Sequence, residues 1–290
     1  MINSFNLNEN FSAMVASHGL RSAGQFLTQS AERLATGLRV SRAADGPAIL
    51  TISERMRSEI RGFARAAQNS QDGVSLLQTA EGALDEIQSM LHRLRELAVQ
   101  GANDTLTPVD RSVISAEMLQ LSDQMTDIAN QTTFNGRVLL NGSLGASGQP
   151  LTMQVGSNGG DQLTVTIEAA DATTLGVDTP PTGANNALAW SNFIATVDGA
   201  TAQLSTQRGA LGDEESELKH FLLSLSVAWE NSKASDSRFR DTDLAQELIN
   251  YARAQILKEP GMAALVHSNL IPQTALAMYD SVRQPGQRGA

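Results

Sequence analysis

Apolar positions recur at helical spacing over most of the chain. Between residues 52 and 98 they fall at Ile52, Met56, Ile60, Phe63, Ala67, Val74, Leu77, Ala80, Leu84, Ile87, Leu91, Leu94 and Ala98. The steps are three or four, except for one gap of seven that holds Ser70. This is a heptad-like seam, and one helix carrying it is about 70 Å long at 1.5 Å per residue. Compact domains rarely bury so long a stripe internally. Gly62, Gly73 and Gly82 each weaken the isolated helix by roughly 1 kcal/mol, so packing partners must hold it. A break follows over 101–110, where Pro108 and Asp110 suit the first turn of a new helix. That helix carries Ile114, Met118, Leu121, Met125 and Ile128 and is predicted to run antiparallel to the first, because the connection is short. It ends before Phe134-Asn135-Gly136, a turn signal repeated at Asn141-Gly142.

A third helix is predicted from Ala187 to about Asn231, with Val197, Leu204, Leu211, Leu218 and Leu225 recurring every seven residues. A strict seven-residue repeat favours left-handed supercoiling against another helix. A fourth starts near Asp241 or Asp243, either of which can cap it. It carries Leu244, Leu248, Tyr251 and Leu257, and Pro260-Gly261 is expected to kink or end it. A further amphipathic piece spans 262–278, and the tail 281–290 reads as disordered. Residues 5–36 are amphipathic as well, with Phe5, Leu7, Phe11, Met14, Val15, Leu20, Phe26, Leu27 and Leu34. Between these halves, 142–185 is rich in Gly, Ser, Thr and Asp. Within it, 151–155 and 163–167 alternate apolar and polar residues around a GSNGGDQ loop, the pattern of a β-hairpin. DTPPTGANN, 178–186, reads as an exposed loop. The fold class is therefore mainly α: a long antiparallel helical bundle or coiled coil with a small β-hairpin region. A monomer leaves the terminal stripes without partners, which points to self-association through the two ends.

Composition narrows the function. The chain has no cysteine, so it has no disulfide framework, thiolate metal site or Cys nucleophile. A net charge of −10 argues against nonspecific binding to nucleic acid or an anionic membrane. No stretch reads as a membrane-inserted helix, the run 262–279 being broken by polar residues and Pro272. No secretory leader is expected, since the first basic residue is Arg21 and no apolar core follows it. Aromatic residues are only 4%, so the core must be mostly aliphatic, which suits long helices packed side by side.

Several strings resemble the bacterial flagellins. LATGLRVSRAADGPAILTISERMRSEIRG (34–62) is similar to the family's N-terminal signature. The likeness continues through AQNSQDGVSLLQTAEGALDEI (67–87), LHRLRELAVQGAN (91–103) and TTFNGRVLLNG (132–142), and the 151–167 stretch resembles the family's inner-domain hairpin. STQRGALG (205–212) and RFRDTDLAQELINYARAQIL (238–257) are similar to its C-terminal helices. The resemblance spans nearly the whole chain in the family's order. It implies a short flagellin with only the two inner domains. Residues 1–44 and 236–280 would form the two halves of a lumen-lining terminal domain. Residues 45–177 and 187–235 would form the rod domain, with 178–186 standing where other members insert outer domains. It also implies a structural, non-enzymatic subunit that polymerises with copies of itself into the flagellar filament for motility. Such a subunit leaves the cell by type III export without a cleaved signal and works outside it. The partners implied are hook-associated and filament-cap proteins, and an export chaperone at the C-terminal helices. The related alternative is the hook–filament junction protein. The contrasting one is a flagellin-derived surface protein for binding or adhesion.

Candidate chemistry is sparse. His18, His92, His220 and His267 have no partner at metal-ligand spacing, no HExxH occurs, and no metal or cofactor is expected. Asp213-Glu214-Glu215 and Asp85-Glu86 read as solvated helix faces rather than acid/base pairs. The glycines at 156, 159 and 160 lie between two strands, as in a hairpin loop rather than a phosphate cradle. Asn103-Asp104-Thr105 and Asn141-Gly142-Ser143 match a short glycan-acceptor pattern. By resemblance, Arg93, Leu97 and Glu117 stand where flagellins seen by the vertebrate innate receptor carry their epitope. The bland reading is a bundle-packing Leu97 under a weak Arg93–Glu117 surface pair. The seams proposed for assembly and packing are Phe11, Leu27, Leu34, Ile52, Met56, Ile60, Phe63, Leu84, Leu91, Val197, Leu204, Leu211, Leu218, Leu225, Leu248 and Leu257.

Overall fold

The computed structural model describes residues 10–182 and 187–283; Phe5 and Leu7 of the N-terminal stripe lie outside them. Helix α1 spans Phe11–Thr36. Asn10 opens it, its side-chain oxygen accepting the Ala13 N–H at 3.1 Å. Gly37 closes it in the left-handed region, φ 69°, a conformation that penalises any residue with a Cβ. Asp45 shapes the following turn: its carboxylate accepts the backbone N–H groups of Ser41 and Arg42 at 3.2 and 3.0 Å. These bonds, Arg42's foremost, hold its pKa below the ordinary aspartate value.

Helix α2, Pro47–Gly101, has 55 residues, about 82 Å at 1.5 Å per residue. Its proline occupies the first turn, where the missing N–H costs nothing. Helix α3, Pro108–Gln131, opens with a capping box in which Thr107 and Asp110 satisfy each other's backbone. Strands β1 (Thr133–Phe134) and β2 (Arg137–Val138) flank Asn135 and Gly136, at φ 50° and 77°. Two successive positive φ values make this a two-residue primed hairpin. Strands β3 (Leu151–Gln154) and β4 (Gln162–Val165) pair antiparallel, Leu151 opposite Val165. Helix α4 spans Ala187–Arg240 and α5 spans Leu244–Arg283.

Two helix ends differ from the sequence expectation. α4 continues past Asn231 to Arg240. Contacts to α2 carry the extension: Ser53 donates to Asp236 at 2.6 Å and Arg240 pairs with Glu54 at 2.8 Å. Pro260-Gly261 does not end α5, which absorbs the separate 262–278 piece and residues 281–283 of the expected tail; 284–290 lie outside the described residues. Pro260 and Ile256, whose carbonyl loses its helical partner, are both exposed, a position where solvent can replace the lost bond. Of the two expected caps for α5, Asp243 takes the role, accepting from the Ala245 and Gln246 N–H groups.

The chain divides into two compact units, one comprising residues up to Arg57 and from Lys233, the other Ser58–Ser232. The first turns of α2 and the last of α4 thus cluster with α1 and α5. The second unit holds a continuous aliphatic core. Leu84, Leu91, Val197, Leu204, Leu211, Leu218 and Leu225 are all buried in the unit. Arg95 reaches Asp198, Arg208 reaches Gln88, and Gln78 reaches Glu215. In each pair one residue number rises as the other falls, so α2 and α4 run antiparallel. The gap residue Ser70 is also buried, its hydroxyl donating to the Ala66 carbonyl at 2.9 Å. Arg111 of α3 is buried and donates to the Gly101 and Asn103 carbonyls at 3.0 and 3.1 Å, closing the end of α2. The segment expected as an exposed loop at 178–186 buries Pro180 and offers the Pro181 carbonyl to Ser115; 183–186 lie outside the described residues.

Candidate assembly surface

The first unit is built differently. α1 and α5 lie side by side, and at one end Asn10 donates to the Ser268 carbonyl at 2.7 Å. At the other, Thr242 N–H donates to the Gly37 carbonyl at 2.9 Å and Arg39 N–H to the Arg240 carbonyl at 2.7 Å. The two helices are therefore antiparallel. Among the described apolar residues of this unit only Val40 and Ala254 are buried; the other buried side chains are Ser30, Ser53, Glu247 and Ser268. Meanwhile Phe11, Met14, Val15, Phe26, Leu248, Ile249, Ile256, Leu257, Met262, Val266 and Leu270 stay exposed.

Helical geometry separates the two sets. At about 100° per residue, Glu247, Ala254 and Ser268 of α5 fall within about 60° of one another and face α1. Leu248, Met262, Val266 and Leu270 fall within about 80° on another face. Phe11, Met14, Val15 and Phe26 form a similar stripe on α1. Each helix thus uses one face for its neighbour and keeps a second apolar face free, more than a monomer tolerates without purpose. Of the predicted seam residues, those of the second unit are core or partly buried, with Ile60 and Phe63 partly buried, and Met56 of the first unit is partly buried as well. Leu27 and Leu34 are partly buried in the first unit, and Phe11, Ile52, Leu248 and Leu257 are exposed.

Arg93 and Glu117 meet on the surface of α2 and α3. Arg93 Nη2 lies 2.8 Å from Glu117 Oε1, and Nη1 lies 3.1 Å from Glu96 Oε2. The hydrogen bond it donates to Glu117, then the one to Glu96, raises the guanidinium's pKa further. Leu97 is 2% exposed, inside the core beneath them, so the three side chains do not share one surface. All four histidines are exposed, and no metal-binding cluster occurs among the described residues. No described helix is long and apolar enough to cross a membrane.

The solvated reading of the acid run fails at two positions. Glu214 is half-buried with Oε2 lacking a partner, and desolvation raises its pKa, against a backbone hydrogen bond from Thr166 that lowers it. Glu215 is held by Lys219 at 3.0 Å and Gln78 at 2.8 Å, which lower its pKa. Sequence reasoning also missed the polar residues between α1 and α5. Their one signal was Glu247 standing seven residues before Ala254, in heptad register.

The fold and surface together define a long-helix bundle protein whose terminal unit buries almost nothing apolar among its described residues. Residues 7–144 match the bacterial flagellin N-terminal helical region, and residues 194–278 the bacterial flagellin C-terminal helical region. A flagellin of Halalkalibacterium halodurans is 36% identical over 275 residues, covering 94% of this chain and 98% of that one. A flagellar filament core protein of Brachyspira hyodysenteriae is 36% identical over 281 residues, covering 94% and 99%. A solved structure from Vibrio parahaemolyticus, described as a flagellar hook-associated protein, shares the fold with a TM-score of 0.56 at 15% identity, covering 68% of this chain and 100% of that one. The chain belongs to the bacterial flagellin family.

Proposed function

We propose that this chain is a structural subunit that polymerises into the bacterial flagellar filament. One observation carries the reading: α1 and α5 each keep a second apolar face exposed while the described residues of their unit bury almost nothing apolar. Copies of the same molecule supply the missing core. The near full-length likeness to filament proteins supports this, as does the absence of cysteine, which leaves nothing to crosslink during export in an unfolded state. On this reading residues 1–44 and 236–280 line the filament lumen and 45–177 with 187–235 form the surrounding rod. The work is mechanical rather than catalytic. The subunit acts outside the cell after export without a cleaved leader, alongside hook-associated and cap proteins, with an export chaperone at α5.

Seeded polymerisation followed by electron microscopy tests the proposal. Full-length protein should grow long filaments, whereas trimming about 40 residues from either end should abolish growth and leave Ser58–Ser232 folded. A trimmed chain that still grows filaments overturns the reading. Full-length protein that caps seeds without elongating them would indicate the junction-protein alternative, which does not build long filaments.

We also propose that the exposed Arg93–Glu117 pair contacts the vertebrate innate receptor, with Leu97 supporting that surface from beneath. Arg93→Ala should abolish signalling in a receptor reporter assay on monomer. Undiminished signal from Arg93→Ala and Glu117→Ala refutes it.

A further inference from the structure

The triplet Asn141-Gly142-Ser143 lies in the loop between β2 and β3, away from the terminal helices. Both ends of the triplet are pinned. The Leu140 carbonyl accepts the Ala170 N–H at 3.0 Å and the Leu144 carbonyl accepts the Ile167 N–H at 3.1 Å, and both leucines are buried. Between them Asn141 is exposed. Its Oδ1 accepts the Ser143 backbone N–H at 3.1 Å, a turn in which an asparagine side chain folds back over the peptide that follows it. That bond settles which carboxamide atom is the oxygen, and it holds the carboxamide over the Gly142 nitrogen. Among the described residues no acceptor takes the Gly142 N–H, and glycine has no side chain to shield it.

We propose that Asn141 is a site of spontaneous deamidation in the folded chain. The Gly142 nitrogen gives its proton to water and attacks Asn141 Cγ. The N–Cγ bond forms and the carbonyl electron pair moves onto Oδ1, where the Ser143 N–H already stands to stabilise the developing oxyanion. The pair then returns, the Cγ–Nδ2 bond breaks, and Nδ2 takes a proton from water and leaves as ammonia. Water opens the resulting five-membered imide at either carbonyl, leaving aspartate or isoaspartate at position 141. The net change consumes water and releases ammonia, with no oxidant, reductant or enzyme. The isoaspartate form adds a carbon to the main chain between the pinned ends and loosens the Leu144–Ile167 bridge.

Two other Asn-Gly pairs, 135–136 and 158–159, share the sequence but not the setting. Asn135, at φ 50°, belongs to the primed hairpin. The dihedral angles of such a turn set Cβ nearly opposite the following nitrogen, so ring closure must first open the β1–β2 pair. Asn158 donates its carboxamide N–H to Asp161 Oδ2 at 3.2 Å, and a carboxylate at that distance opposes an anionic intermediate.

Full-length monomer held at mildly alkaline pH, folded and in urea, tests the proposal. Peptide mapping by mass spectrometry follows each position, and electron-transfer fragmentation tells aspartate from isoaspartate. In the folded chain position 141 should convert at least about tenfold faster than 135 or 158. In urea the three should fall within about threefold of one another, because the fold no longer distinguishes them. Ser143→Pro deletes the N–H donor at an exposed position. It should slow the folded rate at 141 at least about fivefold and leave the urea rate unchanged. Position 141 level with or behind either rival in the folded chain overturns the proposal, as does a lead that persists undiminished in urea. A Ser143→Pro variant with native circular dichroism and the wild-type rate overturns the part given to the Ser143 N–H. These results leave the filament reading untouched, since none of them involves assembly.

Discussion

Two glycines of α2 make opposite predictions from one substitution. A Cβ built on Gly101 lies 2.2, 2.3 and 2.6 Å from three ring carbons of Trp190. The indole is fully buried at the start of α4, so it has nowhere to swing. Overpacking of this kind costs about 1–3 kcal/mol. Replacing glycine by alanine returns up to about 1 kcal/mol of helix propensity, and less at Gly101, the last residue of its helix. Gly101→Ala should therefore lose about 1–2 kcal/mol. At Gly82 nothing lies within 4 Å of the added carbon, so Gly82→Ala should gain about 0.5–1 kcal/mol. For a unit of this size about 1 kcal/mol moves Tm by about 2–4 °C. Thermal and urea unfolding of the monomer, followed by tryptophan fluorescence and circular dichroism, reads both changes. A Gly101→Ala variant as stable as wild type would refute the close packing of α2 on Trp190. A destabilised Gly82→Ala would refute the open face assigned to that position.

Leu97→Ala should cost about 2–5 kcal/mol because it empties a core position, while Arg93→Ala should leave the urea midpoint nearly unmoved; the reverse order would place Leu97 on the surface. Burial raises the Glu214 pKa, so over the interval between its unfolded and folded values the folded chain binds more protons and stability falls as pH rises. Glu214→Gln should then equal or exceed wild type in Tm at neutral pH and lose that advantage in acid, and a variant less stable at neutral pH would contradict the assignment. The Ser58–Ser232 unit carries 21 Asp+Glu against 8 Lys+Arg, so crowding copies together is repulsive and screened by salt. Seeded growth should quicken as sodium chloride rises from low millimolar to physiological strength; growth that slows would mean ion pairs, not apolar faces, hold the copies together.

The long seams were legible because little besides helix-on-helix packing calls for an aliphatic residue at every seventh position. Val197 through Leu225 recur at that spacing and all are buried. The 151–167 hairpin showed through its alternation. Other features depend on residues distant in sequence. α4 reaches Arg240 because Glu54 and Ser53 hold its last turns, and no local pattern carries that. Pro260 read as a terminator because local rules cannot know that Ile256, whose carbonyl it leaves unbonded, sits at an exposed position. Glu214 read as solvated because its burial is set by a strand end nearly fifty positions away. Within the candidate surface, the apolar stripes of α1 and α5 were visible from spacing. The charged pair between them was not, since Arg33 and Glu247 become neighbours only when α1 and α5 pack together.

Amide hydrogen exchange on the monomer and on the seeded filament tests the central claim most directly. If copies complete the core that the terminal unit lacks, amides of α1 and α5 should exchange rapidly in the monomer and slow at least a hundredfold in the filament. Those of α2 and α3 around Leu84, Leu91 and Met118 should be protected in both. Filaments whose α1 and α5 amides exchange as fast as the monomer's would contradict the account.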